Sequence, residues 1–351
     1  MNLGVIQNYK KYLPINKDTP IITMGEGQTP LIKSTNIIKT IECDNLYFKF
    51  EGCNPTGSFK DRGMVFAISK ALESKSKIIA CASTGNTSAS AAAYGARFGL
   101  KTIVIVPNGK IASGKLAQAI AYGAKIISID GNFDQGLSII RELSNDNNIT
   151  IVNSINPYRI EGQKTAAFEI VDELGDSPDN LFIPVGNAGN ITAYWKGFTE
   201  YFKYEKSTKL PKLLGYQAAG AAPLVSGKPV EQPETIASAI RIGNPASWES
   251  AITARNESGG SIDSVTDTEI LSAYQMLASQ EGIFCEPASA ASLAGLIKTN
   301  TINPQSIKNK TIVCVVTGSG LKEPELAEKQ FNSKPINIKP EIEIVKEAIL
   351  N

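Results

Sequence analysis

From residue 45 onward, short continuously apolar runs alternate with longer helical stretches. The runs 45–50, 77–82, 101–106 and 125–129 read as strands, with helices over 58–74, 86–98, 113–122 and 133–143. A second series places strands at 181–185, 212–217 and 311–316, and helices at 190–204, 267–280 and 288–298. The stretch 218–238 reads as a loop containing proline and glycine. Runs that are apolar at every position, such as Ile103-Val104-Ile105-Val106, suit parallel strands covered on both faces. The turns between them are rich in Gly, Asn and Pro. The pattern predicts an α/β chain with two open, mostly parallel twisted sheets, helices on both faces and a cleft between two units. Ligands in such folds bind beyond the carboxyl ends of the strands.

Composition narrows the function classes. A chain of 351 residues with 42% hydrophobic content has material for about two domains. Its 35 Lys and Arg nearly balance 34 Asp and Glu, so neither nucleic acid nor an anionic membrane is expected as a partner. Met1 to Tyr12 lack the apolar core of a secretory signal, and no apolar run is long enough to span a bilayer. A cytoplasmic protein is expected. The five cysteines, at 43, 53, 81, 285 and 314, are too scattered for a metal knuckle or a redox pair, so no metal is expected. The chain has no histidine, which excludes serine–histidine triads, histidine zinc sites and imidazole acid–base chemistry together. An enzyme built from it must move protons with lysine, a carboxylate, tyrosine or the substrate itself.

Four polar or glycine-rich motifs fall at strand-to-helix junctions. In Asn54-Pro55-Thr56-Gly57-Ser58-Phe59-Lys60-Asp61-Arg62-Gly63, Ser58 reads as a helix N-cap and Lys60 falls in the first turn. The positive helix end opposes an ammonium there and favours the free amine, the form that attacks a carbonyl and later takes a proton. Position alone favours a solvated surface lysine. Ser83-Thr84-Gly85-Asn86-Thr87-Ser88 offers hydroxyls, an amide and helix-start N–H groups to a carboxylate or phosphate, although the same residues are ordinary caps. In Pro184-Val185-Gly186-Asn187-Ala188-Gly189-Asn190, two glycines let the backbone approach an anion. Their spacing is not that of a dinucleotide fingerprint. Val315-Val316-Thr317-Gly318-Ser319-Gly320-Leu321-Lys322 puts a neutral hydroxyl at the end of the last strand, beside glycines that leave room for a planar ligand.

With these four motifs the chain resembles the threonine synthases, of the shorter bacterial and archaeal kind, within the fold-type-II (tryptophan-synthase-β-like) pyridoxal-phosphate enzymes. The resemblance runs from Gly25-Glu26-Gly27-Gln28-Thr29-Pro30-Leu31 to Gly318-Ser319-Gly320-Leu321-Lys322. Between them it takes in Gly109-Lys110-Ile111, Asn153 to Arg159, Ala239 to Pro245 and Glu286 to Ser292. It implies pyridoxal 5'-phosphate as cofactor, held covalently by Lys60. It further implies Asn86 at the ring hydroxyl, Thr317 at the pyridine nitrogen, and Gly186, Asn187, Ala188, Gly189 and Asn190 around the cofactor phosphate. A neutral partner such as Thr317 would leave that nitrogen largely unprotonated. Ser83, Thr84 and Thr87 would grip the substrate carboxylate. Asn153, Ser154 and Arg159 would receive its phosphate, assisted by Lys110 and Asn187. Arginine suits that task because its planar fork pairs with two phosphate oxygens; the competing reading of Arg159 is an ion pair with Glu161 or Glu169.

The resemblance also implies a large cofactor-binding domain (1–52 with 153–351), a smaller mobile α/β domain (53–152), a homodimer, and O-phospho-L-homoserine as substrate. Serine and threonine dehydratases carry a histidine directly after the asparagine of the second motif, and a run of glycines for the cofactor phosphate. Here Thr87 follows Asn86, and the phosphate loop holds two asparagines. The implied reaction is the β,γ-replacement that makes L-threonine and phosphate from O-phospho-L-homoserine and water. A dehydratase-like lyase, and a non-catalytic homologue that binds the cofactor or an amino acid, remain open from the residues alone.

Overall fold

A computed structural model describes residues 3–108, 113–131, 133–143, 148–331 and 335–350. Its strands are β1 (Leu31–Lys33), β2 (Asn45–Phe50), β3 (Ile78–Ala82), β4 (Lys101–Pro107), β5 (Lys125–Ile129), β6 (Ile149–Ile151), β7 (Asn180–Pro184), β8 (Lys212–Ala218), β9 (Ser261–Val265) and β10 (Thr311–Val316). They form a six-stranded sheet in the order β1-β2-β10-β7-β8-β9 and a four-stranded sheet in the order β5-β4-β3-β6. Every neighbouring pair is parallel except β1 and β2. The expected α/β architecture, with two mostly parallel sheets, is therefore present.

The strand order decides where the motifs meet. β2 pairs along its whole length with β10, from Asn45 beside Thr311 to Phe50 beside Val316. The turn that leads to Lys60 and the turn that holds Thr317 thus leave adjacent strands at the same end. They are then sewn together: Phe59 N–H donates to the Thr317 carbonyl, and Ser58 bridges to Gly318. β7 is buried at every position, and the helix Pro287–Ile302 packs on β7 and β10 with small residues. At Gly295 a Cβ would come within 2.2 Å of the Tyr216 ring, so only glycine allows that close approach.

Three strands escaped the sequence reading. β1 and β6 have three residues each, and β9 is a half-buried edge strand of mixed polarity, so none presents a full apolar run. β8 extends through Ala218, and the stretch expected to be loop contains a short helix, Pro223–Ser226. Ser58 is not the N-cap of the helix Lys60–Glu73. Its backbone is committed to the bridge with Gly318, and its hydroxyl has no hydrogen-bond partner. The Asp61 carboxylate does that local work instead, accepting from the Thr56 N–H and hydroxyl (both 2.6 Å) and from the Ser90 hydroxyl (2.6 Å).

Helix Lys60–Glu73 is fixed by a buried ionic network. Arg62 meets Glu51 through Nε and Nη2 (2.7 and 2.8 Å) and Glu169 through Nη1 and Nη2 (both 2.6 Å). Lys49 adds a second cation at Glu169 (2.9 Å) and donates to the Thr29 carbonyl. Gln28 N–H also donates to Glu169, and Thr29 donates to Glu51. The Gly25–Leu31 motif is thereby explained as structure: Gly25, Gly27 and Gln28 all adopt positive φ so that the loop can wrap these carboxylates. Burial pushes the Glu169 carboxyl up, but Arg62 and then Lys49 overcome this and hold it at about 2.

Arg62→Met should cost about 3–5 kcal/mol in urea denaturation, because two buried carboxylates lose their partner. Lys209→Ala, at the more exposed Lys209–Asp179 pair, should cost less than about 1 kcal/mol. Equal losses would contradict the weight given to the network. The Glu169 contribution is present above its ordinary value of 4.5 and is lost as pH falls towards about 2, so Glu169→Gln should flatten the acid limb of stability against pH.

Candidate active site

The carboxyl ends of β3, β6, β7 and β10 open on one cleft, with a cavity of about 460 Å³. Lys60, Ser83, Thr84, Asn86, Thr87, Asn153, Ser154, Arg159, Gly186, Asn187, Ala188, Gly189, Asn190 and Thr317 all line it. Residues expected to act together from five separate segments are thus brought to one wall-to-wall site. Lys110 lies outside the described residues.

Lys60 is the first residue of its helix, and its ammonium lies 4.2 Å from the Phe59 ring centre. Burial, and secondarily the Arg159 guanidinium, push its amine down to about 7, against an opposing pull from Glu286. A nucleophilic amine is therefore available near neutral pH, which a surface lysine does not offer.

Around Lys60 the polar groups divide by what already engages them. Asn86 Nδ2 donates to both Glu286 oxygens (3.1 and 2.9 Å). Thr317 Oγ1 lies 2.8 Å from the Ser289 hydroxyl and 3.3 Å from Glu286 Oε1. Asn153 spends its whole amide on Ala82, accepting from its N–H (3.0 Å) and donating to its carbonyl (2.9 Å). That residue holds the start of the Ser83–Ser88 turn in place. Ser83 Oγ accepts from Gly85 N–H, while Thr84 and Thr87 stand half-exposed at the rim of the helix Asn86–Arg97. Asn187 spans the site, donating to Ser154 Oγ and accepting from Ala246 N–H (2.6 Å).

Two groups are left unsatisfied. Asn190, 8% exposed, stands in the first turn of helix Gly189–Lys203, and neither its amide nitrogen nor its oxygen has a hydrogen-bond partner. The turn before it is tight: Ala188 sits at φ +64°, and a Cβ on Gly186 would come within 2.9 Å of Ile240 Cα. A non-glycine residue in that region costs energy, and here the strained turn precedes the helix N-terminus directly. The second group is Arg159, 1% exposed, whose Nη1 donates to the Val152 carbonyl and whose Nε is unpaired. The competing expectation of an ion pair is not met among the described residues. Glu161 pairs with Lys164 and Lys196, and Glu169 with Arg62 and Lys49. Burial lowers the Arg159 pKa to about 10, so it stays charged at neutral pH. A buried cation without a carboxylate is a site for an anion.

The family model described as pyridoxal-phosphate dependent enzyme matches residues 22–318. Threonine synthase of Halalkalibacterium halodurans is 59% identical over 95% of this chain and 93% of its own. That of Bacillus sp. is 57% identical over 99% and 98%, and that of Methanocaldococcus jannaschii 48% over 98% and 87%. The chain is a pyridoxal-phosphate-dependent enzyme of the threonine synthase family. Among solved structures, maize serine racemase superposes with a TM-score of 0.75 at 21% identity, covering 93% of this chain and 94% of its own. A tomato (Solanum lycopersicum) threonine deaminase gives 0.73 at 21%, covering 93% and 94%. These likenesses concern the fold, which is fold type II.

The residues present fit the family's cofactor. An amine of lowered pKa, an anion cradle with an unsatisfied Asn190 at a helix N-terminus, and a cavity of about 460 Å³ together match a small aldehyde bearing a phosphate. Glu286 is the site residue that motif reading did not single out. It opens the Glu286–Ser292 segment of the resemblance and precedes the proline that starts helix Pro287–Ile302, but neither signal assigned it a role. In cofactor-free enzyme, labelling of Lys60 by an amine-reactive reagent should titrate near pH 7, as read by peptide mass spectrometry; a midpoint near the ordinary 10.5 would refute the lowered pKa.

Proposed function

We propose that this enzyme converts O-phospho-L-homoserine and water to L-threonine and phosphate. The observation that carries the reading is Arg159: a buried guanidinium with no carboxylate partner among the described residues, in the same cleft as an amine-poised Lys60. Its relatives named threonine synthase, up to 59% identical, support the same conclusion. A substrate that brings its own phosphate supplies the anion which Arg159 lacks.

Pyridoxal phosphate, when bound, acts as an electron sink that makes protons at Cα and Cβ removable. The rest falls to this chain. In the proposed assignment Lys60 anchors the cofactor, and Gly186 to Asn190 hold its phosphate on the N-terminus of helix Gly189–Lys203. Asn86 and Thr317 orient the ring edge. Ser83, Thr84 and Thr87 hold the substrate carboxylate on the start of helix Asn86–Arg97. Arg159 and Ser154, with Asn187 linking Ser154 to the cofactor side, hold the substrate phosphate and ease its departure by offsetting its charge. Asn153 acts by holding the turn after β3, and Lys110 is proposed as a further cation for the same phosphate. The neutral Lys60 amine removes the Cα proton and later returns one, since no imidazole is available.

We also propose a cytoplasmic homodimer, with 1–52 and 153–351 as the large unit and 53–152 as the smaller one. Arg62 fastens the Lys60 helix to Glu51 and Glu169, so closure would be carried by the four-stranded sheet beyond that helix.

Lys60→Ala should abolish both the visible cofactor band that borohydride discharges and the release of phosphate from O-phosphohomoserine. Arg159→Ala should keep the band and lower kcat/KM by roughly 100-fold or more, as expected for losing a charged, buried contact of about 3 kcal/mol. Ammonia release from threonine that outpaces phosphate release from O-phosphohomoserine would instead identify a dehydratase.

A further inference from the structure

Glu286 is a carboxylate in a cleft whose expected ligands are all anionic. It is 3% exposed and lies at the first turn of helix Pro287–Ile302, its N–H bound to the Gly318 carbonyl. Its oxygens accept from Asn86 Nδ2 at 3.1 and 2.9 Å and from Thr317 Oγ1 at 3.3 Å. Those are the two side chains read as partners of the cofactor ring. They come from the turns after β3 and β10, in different sheets, and Glu286 joins them. Gly318 leaves the space for this carboxylate, since a Cβ there would come within 2.6 Å of Glu286 Oε1.

Resting on the assignment of Lys60, Asn86 and Thr317 to the cofactor, we propose that Glu286 is a positioning residue of this site. Its carboxylate ties Asn86 to Thr317 across the cleft and supplies the negative charge that faces the Lys60 amine.

Asn86 Nδ2 has two hydrogens, and one directed at Glu286 leaves the other for a ligand. Thr317 has one. With Glu286 ionised, that proton is drawn towards the carboxylate at 3.3 Å, and the Ser289 hydroxyl at 2.8 Å is placed to donate to the Thr317 oxygen. Thr317 is therefore not the isolated neutral hydroxyl that its sequence suggests, but one backed by a buried charge. The groups facing Lys60 are Arg159, which disfavours its ammonium, and Glu286, which favours it. Those around Glu286 include Lys60, Lys322 and Cys285, and Lys322 is shared with Asp61. Neutralising Glu286 leaves Arg159 unopposed at Lys60.

The test compares wild type with Glu286→Gln, which keeps the shape and one acceptor oxygen but removes the charge. In cofactor-free protein, the labelling midpoint of Lys60 should move to lower pH in the variant. After loading with pyridoxal phosphate, the pH dependence of the visible absorption band should shift as well. An unchanged Lys60 midpoint in a folded Glu286→Gln protein, checked by circular dichroism, would overturn the proposal. A structural role alone would alter stability without moving either titration. If Glu286→Gln fails to fold, Glu286→Asp provides the second arm: it keeps the charge but shortens the reach to Asn86. It should retain the midpoint while weakening cofactor affinity, and an unchanged affinity would count against the positioning role. Lys60→Ala that retains the borohydride-sensitive band would sink the underlying assignment instead, so the two failures are distinguishable.

Discussion

The position of Lys60 depends on Arg62. The two residues sit one apart on either side of Asp61, at the start of one helix, and Arg62 is clamped in two planar pairs to Glu51 and Glu169. Glu51 belongs to the turn after β2, and Glu169 to the helix Thr165–Leu174. A helix start held from both directions cannot slide or rotate without breaking charge-assisted bonds in a dry interior, where each is worth most. Asp61 adds a third restraint towards Thr56 and Ser90. The Lys60 amine is therefore mounted on a backbone fixed by its sequence neighbours.

The same economy governs charge inside the cleft. With no histidine in the chain, a base near neutral pH has to come from a group whose ordinary pKa lies elsewhere. Burial and Arg159 bring the Lys60 amine down to about 7, and Glu286 keeps it from falling further. Arg159 does two jobs at once: it offers an anion site and disfavours the ammonium next door. An anion bound at Arg159 would cancel part of that second effect. If the proposed substrate phosphate binds there, the proton affinity of Lys60 rises while it is in place and falls when it leaves, by the same Coulombic coupling.

Much of this was legible in the sequence, because parallel strands buried on both faces announce themselves as unbroken apolar runs. β3, β7 and β10 appear as such, while β2, β4, β5 and β8 are apolar runs with polar residues in or beside them, and each of the four motifs sits where a strand ends. What could not be read was which ends would be neighbours. The pairing of β2 with β10 is set by long-range packing, and nothing local to Asn45–Phe50 predicts it. The roles of Asn153 and Glu286 were hidden for the same reason. Asn153 is recognisable as polar in a motif, but its engagement with Ala82 depends on β6 lying beside β3. Glu286 reads as the residue before a helix-starting proline, and only the fold brings Asn86 and Thr317 to it. Ser58 shows the opposite error: a good cap by composition is overridden once its backbone is recruited into a bridge with Gly318.

The unsatisfied groups carry the functional information that the satisfied ones do not. In the Gly25–Leu31 motif the carboxylate Glu26 and the turn glycines are absorbed by hydrogen bonds and backbone geometry, so that motif is part of the scaffold. Arg159 and Asn190 are as deeply placed, yet each keeps buried polar atoms without a partner. An orphaned buried polar group costs about 1–3 kcal/mol, and although others such as the Ser58 hydroxyl lie elsewhere, these two share one cleft where a ligand can complete them. One is a cation and the other an amide at a helix N-terminus, and both select for anions. Both line the cleft that the Asn187–Ser154 hydrogen bond crosses. On the proposed function these anions are two phosphate groups, one belonging to the cofactor and one to the substrate, and a substrate without a phosphate would leave Arg159 unmatched.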